Sequence, residues 1–262
     1  MNDPARLLAA YDEQLRTDAE TRGAVSVTRH GPLCLVTLPG GRGFVTYRDL
    51  GGADVETTAR LVAAAAAHYR ADADVTQAEW KTRGHDHAPG LHDALLAHGF
   101  LPEEPESIML GEARGLAVDV DLPHGVMLRR VDAEADVRAM CAMQADVFGD
   151  DGSDEIAASI LRRLSTDDDM ELWVAEAAGR IVSAGRLEPV PGTDFAGIWG
   201  GSTREEWRGR GIYRALTAAR ARSALRQGKT LIHSDSTELS RPILERSGLL
   251  KVSTTTPYLW RR

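Results

Sequence analysis

The sequence predicts an α/β chain with a mixed α+β sheet, assembled from two related repeats of which the first is shortened. Three observations carry that prediction. Short β-rich runs form two meanders broken by glycine- and proline-bearing turns. Each meander is followed by a helix, a strand, a short helix ending in glycine and a closing strand, and the two series align with each other. At 262 residues, two domains are expected rather than one.

Residues 1–20 (MNDPARLLAAYDEQLRTDAE) have the spacing and charge of an amphipathic helix, which is not the pattern of a secretory leader. Strands follow over 24–29, 33–38 and 43–47, with His30-Gly31-Pro32 and Pro39-Gly40-Gly41 as the turns. An alanine-rich helix spans 56–70, then a strand 75–80, a helix 91–98 ending at Gly99, and a strand 106–110. Residues 112–124 (EARGLAVDVDLPH) form a connector too short to let the halves swing freely. The expected units are therefore 1–114, a connector 115–124, and 125–262.

The second unit begins with a strand 126–131 and helices 133–147 and 153–164. A meander over 171–176, 180–190 and 195–203 turns at Ala178-Gly179 and Pro191-Gly192. A helix 213–227, a strand 230–235, a helix 240–247 and a strand 254–260 complete it. TARLVAAAAAHYRADADVTQAEW in the first unit parallels ALTAARARSALRQGKTLIHSD in the second, and LHDALLAHGFLPEEPESIML parallels SRPILERSGLLKVSTTTPYLW.

The chemistry concentrates where the strand 195–203 meets the helix 213–227. Arg208, Gly209, Arg210, Gly211 and Ile212 make a basic, glycine-punctuated turn that opens the helix. A helix N-terminus presents unpaired N–H groups and partial positive charge, and glycine lets a phosphate approach that backbone. Two arginines add charge, so a diphosphate-bearing ligand fits. The matching turn of the first unit reads RDLGGADVET, with Asp49, Asp54 and Glu56 where an anion needs basic groups. One such site per chain is expected.

The run from Arg208 to Tyr213 resembles the Arg/Gln-x-x-Gly-x-Gly/Ala signature of the GNAT superfamily of N-acetyltransferases, with Tyr213 where the family has Gly or Ala. The element order over 126–262 is similar to the whole GNAT domain, and the first unit looks like a degenerate GNAT-like half that lacks the signature. The resemblance implies acetyl-CoA as cosubstrate, no metal, and transfer of the acetyl group to a primary amine of a small molecule or peptide by direct attack in a ternary complex. It implies cofactor binding by Gly201, Ser202 and Thr203 at the strand end, by Arg208, Gly209, Arg210, Gly211, Ile212 and Tyr213 at the turn, and by Thr237. The glutamate that many family members carry on the strand before the turn is missing, since counting back reaches Gly197, and Leu244 stands where the family often has a tyrosine acid. The candidates in their place are Glu188 as a base acting through water, Tyr213 as acid, and Ser240 with Ser236 and Thr237 to hydrogen-bond the sulfur. The two absences keep open an acyl-CoA-binding sensor or partner-binding module without turnover, and a scaffold in which the repeat pair serves dimerisation.

The formal net charge of −8 argues against nucleic acid or anionic membrane as partner and favours a cationic acceptor. No apolar run is long enough to span a bilayer, so a cytoplasmic protein is expected, with a homodimer left open. Cys34 and Cys141 read as reduced structural thiols. His85-Asp86-His87 has His-x-His spacing but no further cluster to complete a metal set. Asp150, Asp151, Asp154, Asp167, Asp168 and Asp169 flank the helix 153–164 as a solvated acidic surface that a cationic amine would pass. Trp173, Trp199 and Trp207 are core candidates, with Trp199 placed to line a pocket.

Overall fold

The computed structural model describes residues 3–149, 151–166 and 169–262. In chain order the first half comprises α1 (Pro4–Gln14), a 3-10 turn (Asp18–Thr21), β1 (Ser26–His30), β2 (Leu33–Leu38), β3 (Arg42–Thr46), α2 (Val55–Ala71), β4 (Gln77–Arg83), α3 (Leu91–Ala97), β5 (Leu101–Pro102), β6 (Glu106–Glu112) and one turn of α4 (Ala113–Leu116). The second comprises β7 (Val126–Val131), α5 (Glu134–Phe148), α6 (Ser153–Leu164), β8 (Glu171–Ala177), β9 (Arg180–Pro189), β10 (Phe195–Thr203), a 3-10 turn (Glu205–Trp207), α7 (Ile212–Arg226), β11 (Leu231–Ser236), α8 (Arg241–Arg246) and β12 (Leu250–Arg261). Mixed α/β architecture follows, as the sequence predicts.

The strands join one sheet in the order β1-β2-β3-β4-β12-β6-β11-β10-β9-β8-β7, with β5 beside β12. Two of the neighbouring pairs are parallel, β3 with β4 and β10 with β11. Parallel neighbours need a crossover, and α2 and α7 supply it. Each half therefore builds the same unit, a meander followed by a helix and a parallel strand. The closing strands are then exchanged: β12 lies against β4 of the first half, β6 against β11 of the second, and β6 and β12 pair with each other. The two halves share one hydrogen-bonded ladder.

Strand register and packing put α2, α3, α7 and α8 on one face of the sheet and α1, α5 and α6 on the other. Trp80, Tyr69, Phe100 and Leu95 fill the core under α2 and α3, and Met109, Ile232, Ala196 and Ile198 pack under α7 and α8. On the opposite face, α1 sets Leu7, Tyr11 and Leu15 on Ile108, Leu110 and Phe195, while α5 and α6 cover Leu172, Val174 and Ala184. Lys81 on β4 and Asp235 on β11 lie three strands apart yet form an ion pair at 2.7 Å. Strands spaced by about 4.8 Å reach that contact only if the sheet curls, with this face concave. Burial by itself would raise the Asp235 carboxyl, but Lys81 holds it below its ordinary value.

The first half fills its own equivalent of the turn site. The splay past Thr46 and Arg83 is occupied by Glu20, which accepts hydrogen bonds from both side chains. Arg16 donates to Asp86 at 2.7 and 2.8 Å and to the Tyr47 carbonyl at 3.2 Å. The N-terminus of α2 is closed by Asp54, whose carboxylate accepts from the Thr57 N–H at 2.8 Å.

Several predicted boundaries move for physical reasons. The helix expected over 1–20 ends at Gln14, because the chain turns to bury Arg16, 3% exposed, against Asp86 and Asp12. The strand expected at 75–80 runs instead over Gln77–Arg83; Lys81 and Arg83 disguise it, since their charges are buried as ion pairs. The strand expected at 254–260 begins at Leu250, and the strand expected to stop at 110 continues to Glu112. His85 and Asp86 join the Arg16 network, with His85 Nδ1 2.7 Å from Ser253 Oγ. Among the described residues no group of metal-ligating side chains forms a metal set. Asp150, Asp167 and Asp168 lie outside the described residues; Asp154 is exposed and 3.5 Å from Arg138. Cys34 and Cys141 are buried and free. No helix among the described residues is long and apolar enough to cross a membrane.

The strand exchange makes each half incomplete alone. Residues 125–262 expressed without the rest should lack a cooperative thermal transition and should regain one on co-expression with residues 1–124. A cooperative, well-folded 125–262 fragment would contradict the exchange.

Candidate active site

The candidate site forms where β10 leaves β11. The two strands pair over Phe195 to Gly197 with Leu231 to His233, after which the Ser234 hydroxyl donates to the Ile198 carbonyl at 2.9 Å. Beyond that point β10 bulges: Trp199 pairs with Arg186, but Ser202 pairs with Ala184, so one extra residue lies in β10. Gly200 takes φ +58° there, and its carbonyl accepts from the Gln144 side chain of α5. A Cβ on Gly200 would meet Gln144 Nε2 at 3.0 Å and Arg186 Nη1 at 3.2 Å, so glycine is required by both conformation and space.

The turn after β10 is built around two further left-handed glycines, Gly209 (φ +73°) and Gly211 (φ +80°). Gly211 caps α7 without a side-chain hydrogen bond, and no acid occupies the first turn of the helix. The leading N–H groups are therefore left for a ligand or solvent. Arg208 anchors its Nε on the Thr203 carbonyl at 3.1 Å, and the Arg210 guanidinium lies 4.9 Å from the centre of the Trp207 ring. Among the described residues neither arginine is paired with a carboxylate, although Glu205 and Glu206 are close in sequence. Val120 and Asp121 of the connector pass this end of the fold, since a Cβ on Gly211 would lie 3.7 Å from Val120 Cγ1 and 3.8 Å from the Asp121 carbonyl oxygen.

The Tyr213 ring closes the site from below. A Cβ on Gly201 would lie 2.6 Å from Tyr213 Cε2 and 2.9 Å from its hydroxyl, so the bulge rests on this ring. Gly201, Ser202, Thr203 and the run from Arg208 to Tyr213 are thus brought together. Thr237 and Ser240 sit apart from them in the turn between β11 and α8, their hydroxyls 3.4 Å from each other. The Ser202 and Ser236 hydroxyls are buried without a hydrogen-bond partner.

Glu188 lies on β9 directly opposite Gly197. It accepts from Arg163 at 3.1 and 3.2 Å and from Arg186 at 3.0 Å. Burial alone would raise its carboxyl, but Arg186 and Arg163 more than offset this and hold it below the usual range. On the other side of Gly197, opposite in register, stands His233. Its ring packs edge-on against Trp199 and Phe195, with centroids 5.2 and 5.8 Å away. Nε2 of His233 is buried without a partner, and burial lowers its pKa to about 4. A Cβ on Gly197 would meet Trp199 Nε1 at 2.2 Å, so glycine at this position makes room for the indole. Sequence reasoning missed His233 and Gln144; their alternation with apolar neighbours in TLIHSD and AMCAMQADV was a faint signal of a polar group turned inward.

Residues 137–246 match the family model of the acetyltransferase (GNAT) family. Solved structures of similar fold include a GCN5-related N-acetyltransferase of Kribbella flavida, 18% identical, TM-score 0.69, covering 98% of this chain and 95% of that one. Another is a tandem GNAT protein from the clavulanic acid biosynthesis pathway, 15% identical, TM-score 0.65, covering 98% of this chain and 95% of that one. A third is a GCN5-related N-acetyltransferase of Sphaerobacter thermophilus, 18% identical, TM-score 0.62, covering 99% and 94%. At such identities the likeness is one of fold. No curated protein matches the chain by sequence.

His233 supplies a pH test. Its pKa of about 4 in the fold lies below the ordinary histidine value of 6.5, so the unfolded chain binds the extra proton first as pH falls. The contribution is fully present above pH 6.5 and is lost on the way down to about 4, at about 1.4 kcal/mol per pH unit for one proton. Thermal midpoints measured over that window should fall less steeply in His233→Gln than in the parent; equal slopes would contradict the assignment.

Proposed function

Since residues 137–246 match the family model of the acetyltransferase (GNAT) family, we propose that the chain is a GNAT acetyltransferase whose C-terminal unit, residues 125–262, binds one acetyl-CoA and acetylates a primary amine of a small molecule or peptide. The observation that carries this reading is the α7 N-terminus, an uncapped helix end with two arginines and no acid in its first turn. In the first half the corresponding helix end is taken by Asp54 and the splay by Glu20. That contrast supports one cofactor site per chain, with residues 1–114 as a structural partner.

In this reading the N–H groups of Gly209, Arg210, Gly211 and Ile212 receive the diphosphate, and Arg208 and Arg210 neutralise it. The bulge leaves Gly200 and Gly201 out of the ladder to β9, and in this reading backbone N–H groups at Gly201 and the neighbouring Ser202 polarise the thioester carbonyl. Thr203 and Thr237 flank the pantetheine arm. The amine attacks directly in the ternary complex. Glu188, kept ionised by its two arginines, orients the amine through water and accepts its hydrogen bond, while Tyr213 protonates the departing sulfur and Ser240 stabilises it from the α8 side.

The acceptor is expected to be cationic overall, in keeping with the net charge of −8. Acetyl-CoA at about a hundred times its dissociation constant should stabilise the protein by about 2.7 kcal/mol and raise the thermal midpoint by several degrees. The variant carrying Arg208→Ala and Arg210→Ala should lose most of that shift. An unshifted parent at millimolar acetyl-CoA, or a shift that survives in the variant, would overturn the assignment of the cradle.

A further inference from the structure

Three arginines among the described residues are almost sealed from solvent, Arg16, Arg83 and Arg220, at 3%, 3% and 1% exposure. Arg16 meets Asp86 and Asp12, and Arg83 meets Glu20. Among the described residues Arg220 meets no carboxylate. Its Nε donates to the Leu216 carbonyl at 3.3 Å, Nη1 to the Arg186 carbonyl at 3.2 Å and Nη2 to Thr217 Oγ1 at 3.3 Å. Each of its three nitrogens has an acceptor but its charge is not balanced, and a buried charge without a counter-ion is costly. The fold makes room for it, since a Cβ on Gly185 would lie 2.5 Å from Nη1.

The Tyr213 hydroxyl is the acidic group that faces this charge. Burial pulls the Arg220 pKa below its ordinary value, the Tyr213 hydroxyl acts in the opposite direction, and Arg186 adds to the lowering. Tyr213, Thr217 and Arg220 stand at i, i+4 and i+7 of α7, on one side of the helix. Thr217 Oγ1 accepts from Arg220 and donates to the Tyr213 backbone carbonyl at 3.0 Å, which fixes the guanidinium against the first turns of α7. The far edge of the Tyr213 ring rests on Gly201 at the bulge. Gly185, on which Arg220 Nη1 rests, lies on β9 between Ala184 and Arg186, opposite the bulged Gly200 and Gly201, and Gly201 lies against the Tyr213 hydroxyl, so phenol and guanidinium sit against facing positions of the bulge.

We propose that Arg220 is a positioning residue for acetyl transfer that acts through Tyr213, holding the hydroxyl at the bulge and supporting the negative charge it takes on as it protonates the departing sulfur. The inference rests on the acetyl-transfer reading above. In the step itself the amine nitrogen bonds to the thioester carbon and the C–S bond breaks. The bonding pair goes to sulfur, and the Tyr213 proton follows it to give the CoA thiol. The surplus proton on nitrogen passes through water and returns the phenolate to phenol. Charge develops on Tyr213 within reach of a cation that is already desolvated, so no solvent has to reorganise around it.

The test measures thiol release from acetyl-CoA with hydroxylamine as acceptor, for the parent, R220M, R220K, Y213F and the Y213F/R220M pair, alongside the midpoint shift caused by acetyl-CoA. R220M should lower kcat by about tenfold or more while leaving the KM for acetyl-CoA within about twofold. R220K should recover most of the rate, and R220M should cost nothing further once Tyr213 is Phe. Equal losses from R220M in the parent and in Y213F, or a loss confined to KM, would overturn the proposal. Y213F keeps the ring on Gly201 and gives an answer whether or not R220M folds, because unchanged thiol release in Y213F overturns it too. A parent that neither binds nor turns over acetyl-CoA overturns the acetyl-transfer reading and this inference with it, whereas binding and turnover with an additive cycle overturns this inference alone.

Discussion

The pairing of β6 with β12, each lying against the parallel strand of the other half, is the constraint on which the rest of this structure depends. It decides how β11 is held. β11 pairs with β6 through six residues, Leu231 to Ser236, but with β10 through three. A strand held mainly from its outer side does not need its inner neighbour, and β10 is left free to peel away after Gly197. The opening at the candidate site is therefore a consequence of ladder energy supplied by the first half. The Lys81–Asp235 ion pair works in the same direction by curling the seam. Both side chains are largely sealed from water, and removing one partner of such a buried pair typically costs about 3–5 kcal/mol.

From one architecture the two halves have reached opposite electrostatic states. In the first, the helix end after the parallel crossover is capped by a carboxylate, and the splay is filled by Arg83, Glu20, Thr46 and the Arg16 network. An anion arriving there would meet acids and occupied donors. In the second, the helix end has no cap, its two arginines are held by a carbonyl and an indole, and the adjoining strand is bulged open. Cation–π anchoring of Arg210 limits its freedom without neutralising it, which is the arrangement that an exposed anion site requires.

Much of this was legible in the residues. Glycine spacing and the Ala-Leu-Arg content of the following segment announce the turn and the helix it opens, and strands such as Leu33–Leu38, Val126–Val131 and Phe195–Thr203 occur where the β-rich runs place them. The strand exchange was not legible, because nothing local distinguishes a closing strand that returns to its own half from one that crosses. β4 was misplaced for a related reason. Its outward-looking Lys81 and Arg83 are buried by partners far away in sequence, Asp235 and Glu20, and polarity without the partner reads as exposure. His233 and Arg220 stayed hidden because a histidine in a strand and an arginine in a helix carry no sign of their depth; only the packing of Trp199, Phe195 and Gly185 around them reveals it.

The central claim is that one half of the chain kept an anion cradle that the other filled with its own side chains. Isothermal titration of the whole protein with acetyl-CoA tests it most directly, because calorimetric stoichiometry counts sites without reference to any acceptor. The account predicts one acetyl-CoA per chain. No measurable binding would mean that the α7 terminus is a structural turn, and two per chain would mean that the first half is not closed.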